Sequence, residues 1–294
     1  MRILVTGSSG RLGAVLSRTL MSAGHNVIAL DRGELDICSP RQVVAVTDHV
    51  RPQAIINCAS YNAVDAAETD QRTAFAVNGD GPALLAAAAD SIGAVLVHFS
   101  TDYVFDGEAW QAYTETEQTN PVNVYGASKM TGEVAAQRVS RHYVLRVSSL
   151  FGGKGLNGHR ATVDYIADTL LAGAAVQAAV DRIVTPSYAP DVAMAVVALL
   201  GNSAPYGTYH CVSSTSTSWY ELAEEISRRI GLAACIEPVR AADLKTVARR
   251  PRFCALSNQK LASVGITMPS WQSAISRHVT SQRAALTTAS GTRS

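Results

Sequence analysis

Arg2-Ile3-Leu4-Val5-Thr6-Gly7-Ser8-Ser9-Gly10-Arg11-Leu12-Gly13, running on through Ala14-Val15-Leu16 to Leu20-Met21, is the stretch on which the fold turns. Its first residues form a short, largely apolar run, as expected of a parallel strand buried on both faces. Gly7, Gly10 and Gly13 follow, and then apolar residues at helical spacing that stop near Gly24. Strand, glycine turn and helix in that order fit a dinucleotide-binding unit. Glycine lets the backbone approach a pyrophosphate, and the amides and dipole at the helix start stabilise its charge. The spacing Gly-x-x-Gly-x-x-Gly departs from Gly-x-Gly-x-x-Gly, so taken alone the turn could be purely structural. Asn26-Val27-Ile28-Ala29-Leu30 favours the binding reading. It is a second strand, and it ends at Asp31, about 20 residues after the glycines, where an adenosine ribose would sit.

Asp31-Arg32 is ambiguous between the nicotinamide cofactors. Asp31 would accept hydrogen bonds from a ribose 2′-hydroxyl and favour NADH, whereas Arg32 would pair with a 2′-phosphate and favour NADPH. Use of either cofactor is the expectation, with a slight lean toward NADPH.

Further along, Leu35-Asp36-Ile37-Cys38-Ser39-Pro40 reads as a short strand and turn, with Ser39 capping a helix that starts at Pro40. Residues 54–59 and 94–99 read as buried strands, and residues 65–90 as largely helical. The 94–99 strand delivers Ser100-Thr101-Asp102 at its carboxyl end, where ligands of open parallel sheets bind. Tyr143-Val144-Leu145-Arg146-Val147 is the next strand and ends at Ser148-Ser149. This alternation predicts an α/β fold: a doubly wound parallel sheet with right-handed crossovers and a smaller C-terminal lobe. Residues 1–150 form the nucleotide-binding domain, 151–280 mainly the smaller substrate lobe interleaved with the sheet, and 281–294 a flexible tail. The lobe opens with a glycine-rich loop over 152–158 and an alanine-rich helix over about 161–172.

Tyr125-Gly126-Ala127-Ser128-Lys129 carries the chemistry. A tyrosine and a lysine four positions apart share one helix face, and the ammonium is expected to lower the phenol pKa. Such a phenol donates and accepts protons usefully, and the Thr101 hydroxyl could bond the same substrate oxygen. A Tyr-x-x-x-Lys pair is common by chance, so its weight comes from the cofactor turn that precedes it.

Composition narrows the alternatives. The 294 residues suffice for one large or two modest domains, and only 17% are charged. Mean hydropathy is +0.09, consistent with a large buried fraction. A net charge of +1 with mixed signs gives no footprint for nucleic acid or an anionic membrane. Five scattered cysteines without a Cys-x-x-Cys pair read as reduced thiols, and the histidines show no metal-ligand spacing. Glycines interrupt the apolar N-terminus, so no signal peptide is read there, and no apolar stretch is long enough to span a bilayer. The expectation is a cytoplasmic protein acting on a small molecule.

Together these motifs resemble the extended short-chain dehydrogenase/reductases, and within them the dTDP-4-dehydrorhamnose reductase family. Ser100-Thr101-Asp102-Tyr103-Val104-Phe105-Asp106-Gly107 matches that family's most specific signature unchanged. Thr6 to Gly13, Asn57-Cys58-Ala59-Ser60-Tyr61 with Val64-Asp65 and Glu68, and Asn123-Val124-Tyr125-Gly126-x-Ser128-Lys129 are similar to it as well. The resemblance implies a Rossmann-like fold and roles for individual residues. Tyr125 would donate the proton, and Lys129 would bind the nicotinamide ribose and tune Tyr125. Thr101 would bond the substrate carbonyl. Gly7, Ser9, Gly10, Arg11, Leu12, Gly13, Asp31, Arg32, Asp36, Ile37, Cys58, Ala59 and Ser60 would line NADPH or NADH. Thr101, Asp102, Tyr103 and Ser149 would meet a nucleotide-sugar or other keto substrate.

Two departures concern the substrate. The family's Arg-Thr-Ser-Trp is Arg146-Val147-Ser148-Ser149 here, and its Asn-Phe segment is replaced by Asn157-Gly158-His159-Arg160-Ala161. The reaction class is therefore better determined than the sugar. Competing readings are a related reductase acting on another keto compound and a non-catalytic NAD(P)-binding regulatory subunit. Oligomeric state stays open, a homodimer included. Trp110 with Tyr113 reads as a loop cover near the site, and the Arg249-Arg250-Arg252 cluster as either a diphosphate contact or a solvated loop.

Overall fold

In the computed structural model, β1 (Arg2–Thr6) pairs in parallel with β2 (Asn26–Leu30) on one side and β3 (Ala54–Asn57) on the other. The structure describes residues 1–294 except 154, 156–159, 203, 233–234 and 292–294, with no side chains for 283–291. The sheet continues through β4 (Val95–Thr101) and β5 (His142–Val147). Two short strands, β6 (Val176–Ala179) and β7 (Ile183–Val184), come next in the chain, before β8 (Gly207–His210) completes the six-stranded order β2-β1-β3-β4-β5-β8. All its pairings are parallel, and the order reverses between β1 and β3, which is where ligands of doubly wound sheets bind.

Both faces of the sheet are covered, and for that reason its strands are apolar throughout. Ile3, Val5, Ile56, Val97 and Leu145 face α1 (Arg11–Ser22), while Leu4, Ile55, Leu96 and Val144 point the opposite way. On that second face lie α2 (Pro40–Val50) and a helical run over much of 64–92. The run is α3 (Val64–Ala67), α4 (Gln71–Phe75), a π-turn (Ala76–Asp80) and α5 (Gly81–Ile92), so the stretch is largely helical, as expected, but in consecutive pieces. Helix α6 (Val124–Ala136) completes that layer.

In the second half, α7 (Thr162–Leu171) precedes β6, and α8 (Ala189–Gly201) packs back on α1. After β8 come β9 (Thr217–Ser218), α9 (Trp219–Ile230), β10 (Ile236–Val239) and β11 (Phe253–Cys254). The chain ends with α10 (Gln259–Ser263) and α11 (Trp271–Gly291). A separate core of Phe151, Ile166, Leu170, Tyr188, Leu222, Ile226 and Trp271 holds this lobe together. No helix of the described residues is long and apolar enough to cross a membrane.

Three expectations need correcting. Residues 35–38 form turns rather than a strand: Cys38 N–H donates to Asp36 Oδ1 and Ser39 N–H to the Asp36 carbonyl, so local bonds replace a ladder. Leu35 and Ile37 are nonetheless buried in the core. Strand β3 stops at Asn57, because Ala59 N–H turns back to the Asn57 side chain. Helix α11 keeps its backbone helical to Gly291, where no regular structure is expected from the sequence, and residues 292–294 lie outside the described residues.

Gly7 shows what the turn demands. Its φ is +63°, and a Cβ there would lie 2.6 Å from Ala59 N. Gly7→Ala is expected to lower stability by roughly 1–3 kcal/mol through strain alone. The check is the urea midpoint, and an unchanged midpoint would show that the turn yields freely.

Candidate active site

Helix α6 opens with Asn123, whose Oδ1 accepts from Gly126 N–H at 2.7 Å, while its Nδ2 donates to the Arg249 carbonyl. Gly126 is required by packing, since a Cβ would collide with the Tyr103 carbonyl oxygen. This close approach sets Tyr125 edge-on to the Tyr103 ring, 5.9 Å between centroids, and beside Thr101 at the end of β4. One turn on, Lys129 is buried, and its Nζ donates to the Phe99 carbonyl at 2.6 Å.

The electrostatics differ from the expected pattern. Burial pushes the Tyr125 phenol up to about 12; the Thr101 side chain opposes this shift and the Asp102 charge adds to it. Burial also brings the Lys129 ammonium down to about 8, against the pull of Glu133 and Cys58. The predicted lowering of the Tyr125 pKa by Lys129 is therefore not what this structure holds. Desolvation dominates at the phenol, and the Lys129 ammonium donates to Phe99 O.

Thr101, Tyr125 and Lys129 line a cavity of about 590 Å³. Gly10, Arg11 and Leu12 line it as well, at the start of α1, where the N-cap residue Gly10 offers no side-chain cap and no acid lies in the first turn. The positive end of the helix dipole therefore faces the cavity without a protein anion beside it. Ser100 Oγ, buried and at the cavity wall, has no hydrogen-bond partner among the described residues. Of the other predicted residues, Cys58, Ser60 and Ser149 reach the cavity. Gly7, Ser9 and Ala59, in the loops after β1 and β3, and Gly13, in the first turn of α1, are not among the lining residues. Asp31 and Arg32 sit at the tip of β2, with Asp31 Oδ1 taken by Gly33 and Glu34 N–H groups. Asp36 Oδ1 is occupied by Cys38 N–H, and Ile37 packs against Gly81. Asp102, 2% exposed, lies beneath Thr101 rather than in the cavity, and Tyr103 stands behind Tyr125.

The sequence assigns no role to several contributors. Tyr61, Asn62, Phe99, Val147, Leu150 and Arg160 line the cavity. Asn78 in the π-turn is fully buried and fully bonded: its Oδ1 accepts from Tyr61 N–H and Ser60 Oγ, and its Nδ2 donates to Tyr61 O and Ser128 Oγ. It thereby ties the 58–61 loop to α6. The π-turn is what aims it there; an Asn-Gly-Asp-Gly run inside a helical stretch was the available signal.

Residues 1–284 match the RmlD substrate binding domain family. The chain belongs to that family. Among its relatives, dTDP-4-dehydrorhamnose reductase of Streptomyces griseus is 36% identical over 93% of this chain and 91% of its own. A dTDP-4-dehydrorhamnose reductase from Clostridium acetobutylicum superposes with a TM-score of 0.91 at 31% identity, covering 96% of this chain and 100% of that one. The Bacillus anthracis enzyme, solved in complex with NADP, gives 0.89 at 32% identity, covering 94% and 98%.

Ser149 and Arg160, which fall in the two stretches where the sequence departs from the expected motifs, both line the cavity. Ser149 has φ +44°, a left-handed conformation unusual for a residue with a side chain, and it faces the cavity. Arg160 lines the same wall and pairs with Asp168, while 154 and 156–159, including the predicted glycine loop's centre, lie outside the described residues. Arg250 is not free for a diphosphate: its guanidinium makes a two-point ion pair with Asp65 at 2.9 and 2.8 Å. Arg249 reaches the exposed Glu108. Trp110 is 94% exposed and covers nothing, whereas Tyr113 is core, stacked on Phe105 at 4.1 Å.

Proposed function

We propose that this chain is an NADPH- or NADH-dependent reductase of the 4-keto group of a nucleotide-activated 6-deoxyhexulose, with Tyr125 as the proton donor. The supporting observation is that Thr101, Tyr125 and Lys129 converge on a cavity whose other end is the uncapped start of α1. The names of the relatives point the same way.

The residues present suit a dinucleotide. The amides of Arg11 and Leu12 would hold its pyrophosphate, Gly7 and Gly13 keep the turn free of Cβ atoms, and Lys129 would reach the nicotinamide ribose. When bound, the cofactor supplies hydride from the nicotinamide ring. Tyr125, kept protonated by burial, gives its proton to the carbonyl oxygen as charge develops there. Thr101 bonds the same oxygen. Lys129 offsets the phenolate left behind. Phe99 and Val147 exclude water from that wall.

Purified protein with NADPH or NADH and a dTDP-linked 4-keto-6-deoxyhexulose should consume reduced cofactor in step with sugar product. Cofactor binding without turnover of any nucleotide-linked ketosugar would sink the proposal. A second reading, reduction of a different keto compound, is favoured by Ser149 and Arg160 on the substrate wall, and a panel of keto substrates separates the two.

A further inference from the structure

The hydrogen bonds around Thr101 conflict with its task. Thr101 Oγ1 has one proton, and that proton goes to Asp102 Oδ1 at 2.9 Å. One lone pair takes Tyr103 N–H at 3.3 Å. What remains toward Tyr125 and the cavity is a lone pair, and a lone pair cannot stabilise a developing oxyanion. Asp102 Oδ2 meanwhile accepts from Ser148 Oγ at 2.6 Å.

Placing a proton on Asp102 resolves the conflict. Oδ1 then donates to Thr101 Oγ1, whose two lone pairs are filled by Asp102 and Tyr103, and the threonine proton turns to the cavity. Ser148 still donates to Oδ2. Resting on the reductase reading, we propose that Asp102 is a positioning residue whose protonation sets the direction of the Thr101 hydroxyl, with the acid form making Thr101 a donor to the substrate oxygen.

The surroundings favour that form. Asp102 is 2% exposed, and burial pushes its carboxyl up to about 6 despite the bonds from Ser148 and Thr101. The groups facing it are Thr101 and Tyr103 of its own turn, Ser148 after β5, Cys254 of β11 and Tyr125 of α6. The Cys254 thiol is held well above its ordinary value by burial and then by the Asp102 charge, and Arg182 acts on Cys254 and Tyr103. Neutral Asp102 also removes a charge that opposes ionisation of Tyr125. Both effects favour catalysis in the same protonation state.

The test is the pH profile of kcat and kcat/KM. In the parent, activity should fall roughly 100-fold as pH rises through the Asp102 titration, the size of losing one oxyanion donor. Asp102→Asn supplies an N–H to Thr101 at every pH, so this limb should vanish while activity persists. Ser148→Ala withdraws a bond that favours the carboxylate, so the limb should move to higher pH. A protonated-carboxyl infrared band, absent in Asp102→Asn and shifted in Thr101→Val, reads the same coupling without turnover. If the parent and Asp102→Asn share one profile, or Ser148→Ala leaves the limb in place, or Thr101→Val leaves the band unmoved, the proposal falls. A coupled, titrating Asp102 in a protein that reduces no ketosugar would instead count against the reductase reading alone.

Discussion

Tyr125→Phe is expected to cut turnover about 100- to 10,000-fold while leaving cofactor affinity within a few-fold of the parent. The substitution removes one oxygen from the cavity wall and keeps the ring that packs edge-on to Tyr103. Nothing in the α1 turn or at Lys129 depends on that oxygen, because Lys129 is held by Phe99 O. The buried phenol keeps its proton until charge appears on the substrate oxygen, so its loss is felt in kcat rather than in binding. Steady-state rates paired with a cofactor titration check this. Undiminished activity in the variant would favour the regulatory-subunit reading, in which the cofactor site matters and the proton donor does not.

Much of this site was legible in the chain because its parts are local. Arg2–Thr6 and Asn26–Leu30 are strands at the residues expected, since an apolar run closed by a glycine or an acid leaves little choice. Tyr125 and Lys129 share a face because helix geometry puts them there, and Thr101 ends a strand because ligand sites sit at strand ends. What the sequence hid depends on neighbours far along the chain. Ile37 and Leu35 look like strand residues, yet turn bonds from Asp36 decide their backbone. Asp102 matches a sugar-contacting position by motif, but Ser148, from 46 residues on, draws it under the cavity floor. Arg250 invites a phosphate on paper and is claimed by Asp65 across 185 residues. Helical periodicity also could not reveal the π-turn that aims Asn78, because one extra residue per turn leaves the composition unchanged.

Glu133→Ala should produce the largest loss of stability, about 3–5 kcal/mol, read as a fall in the denaturant midpoint. Glu133 and Arg146 have side chains only 3% and 4% exposed and join α6 to β5 by two bonds, Nε to Oε1 at 2.9 Å and Nη2 to Oε2 at 2.8 Å. Arg146 also lies over the Phe105 ring, 5.0 Å from its centroid, with Nη1 3.3 Å from His210 Nε2. His210 cannot replace the lost carboxylate. Burial, then the Arg146 charge, brings it down to about 3, so it is a neutral acceptor whose other nitrogen meets Ser257 O at 3.1 Å. Alanine therefore strands a guanidinium in the interior, whereas replacing both partners by apolar residues of similar volume should cost far less. The pair also bears on catalysis, since Glu133 is one turn from Lys129 and holds its pKa up. Without Glu133, the lysine should lose its proton at lower pH, so the alkaline decline of activity should begin earlier than in the parent. A single variant that unfolds at the parent's midpoint would mean that Arg146 finds another partner, and the interior ion pair would then matter less than its burial suggests.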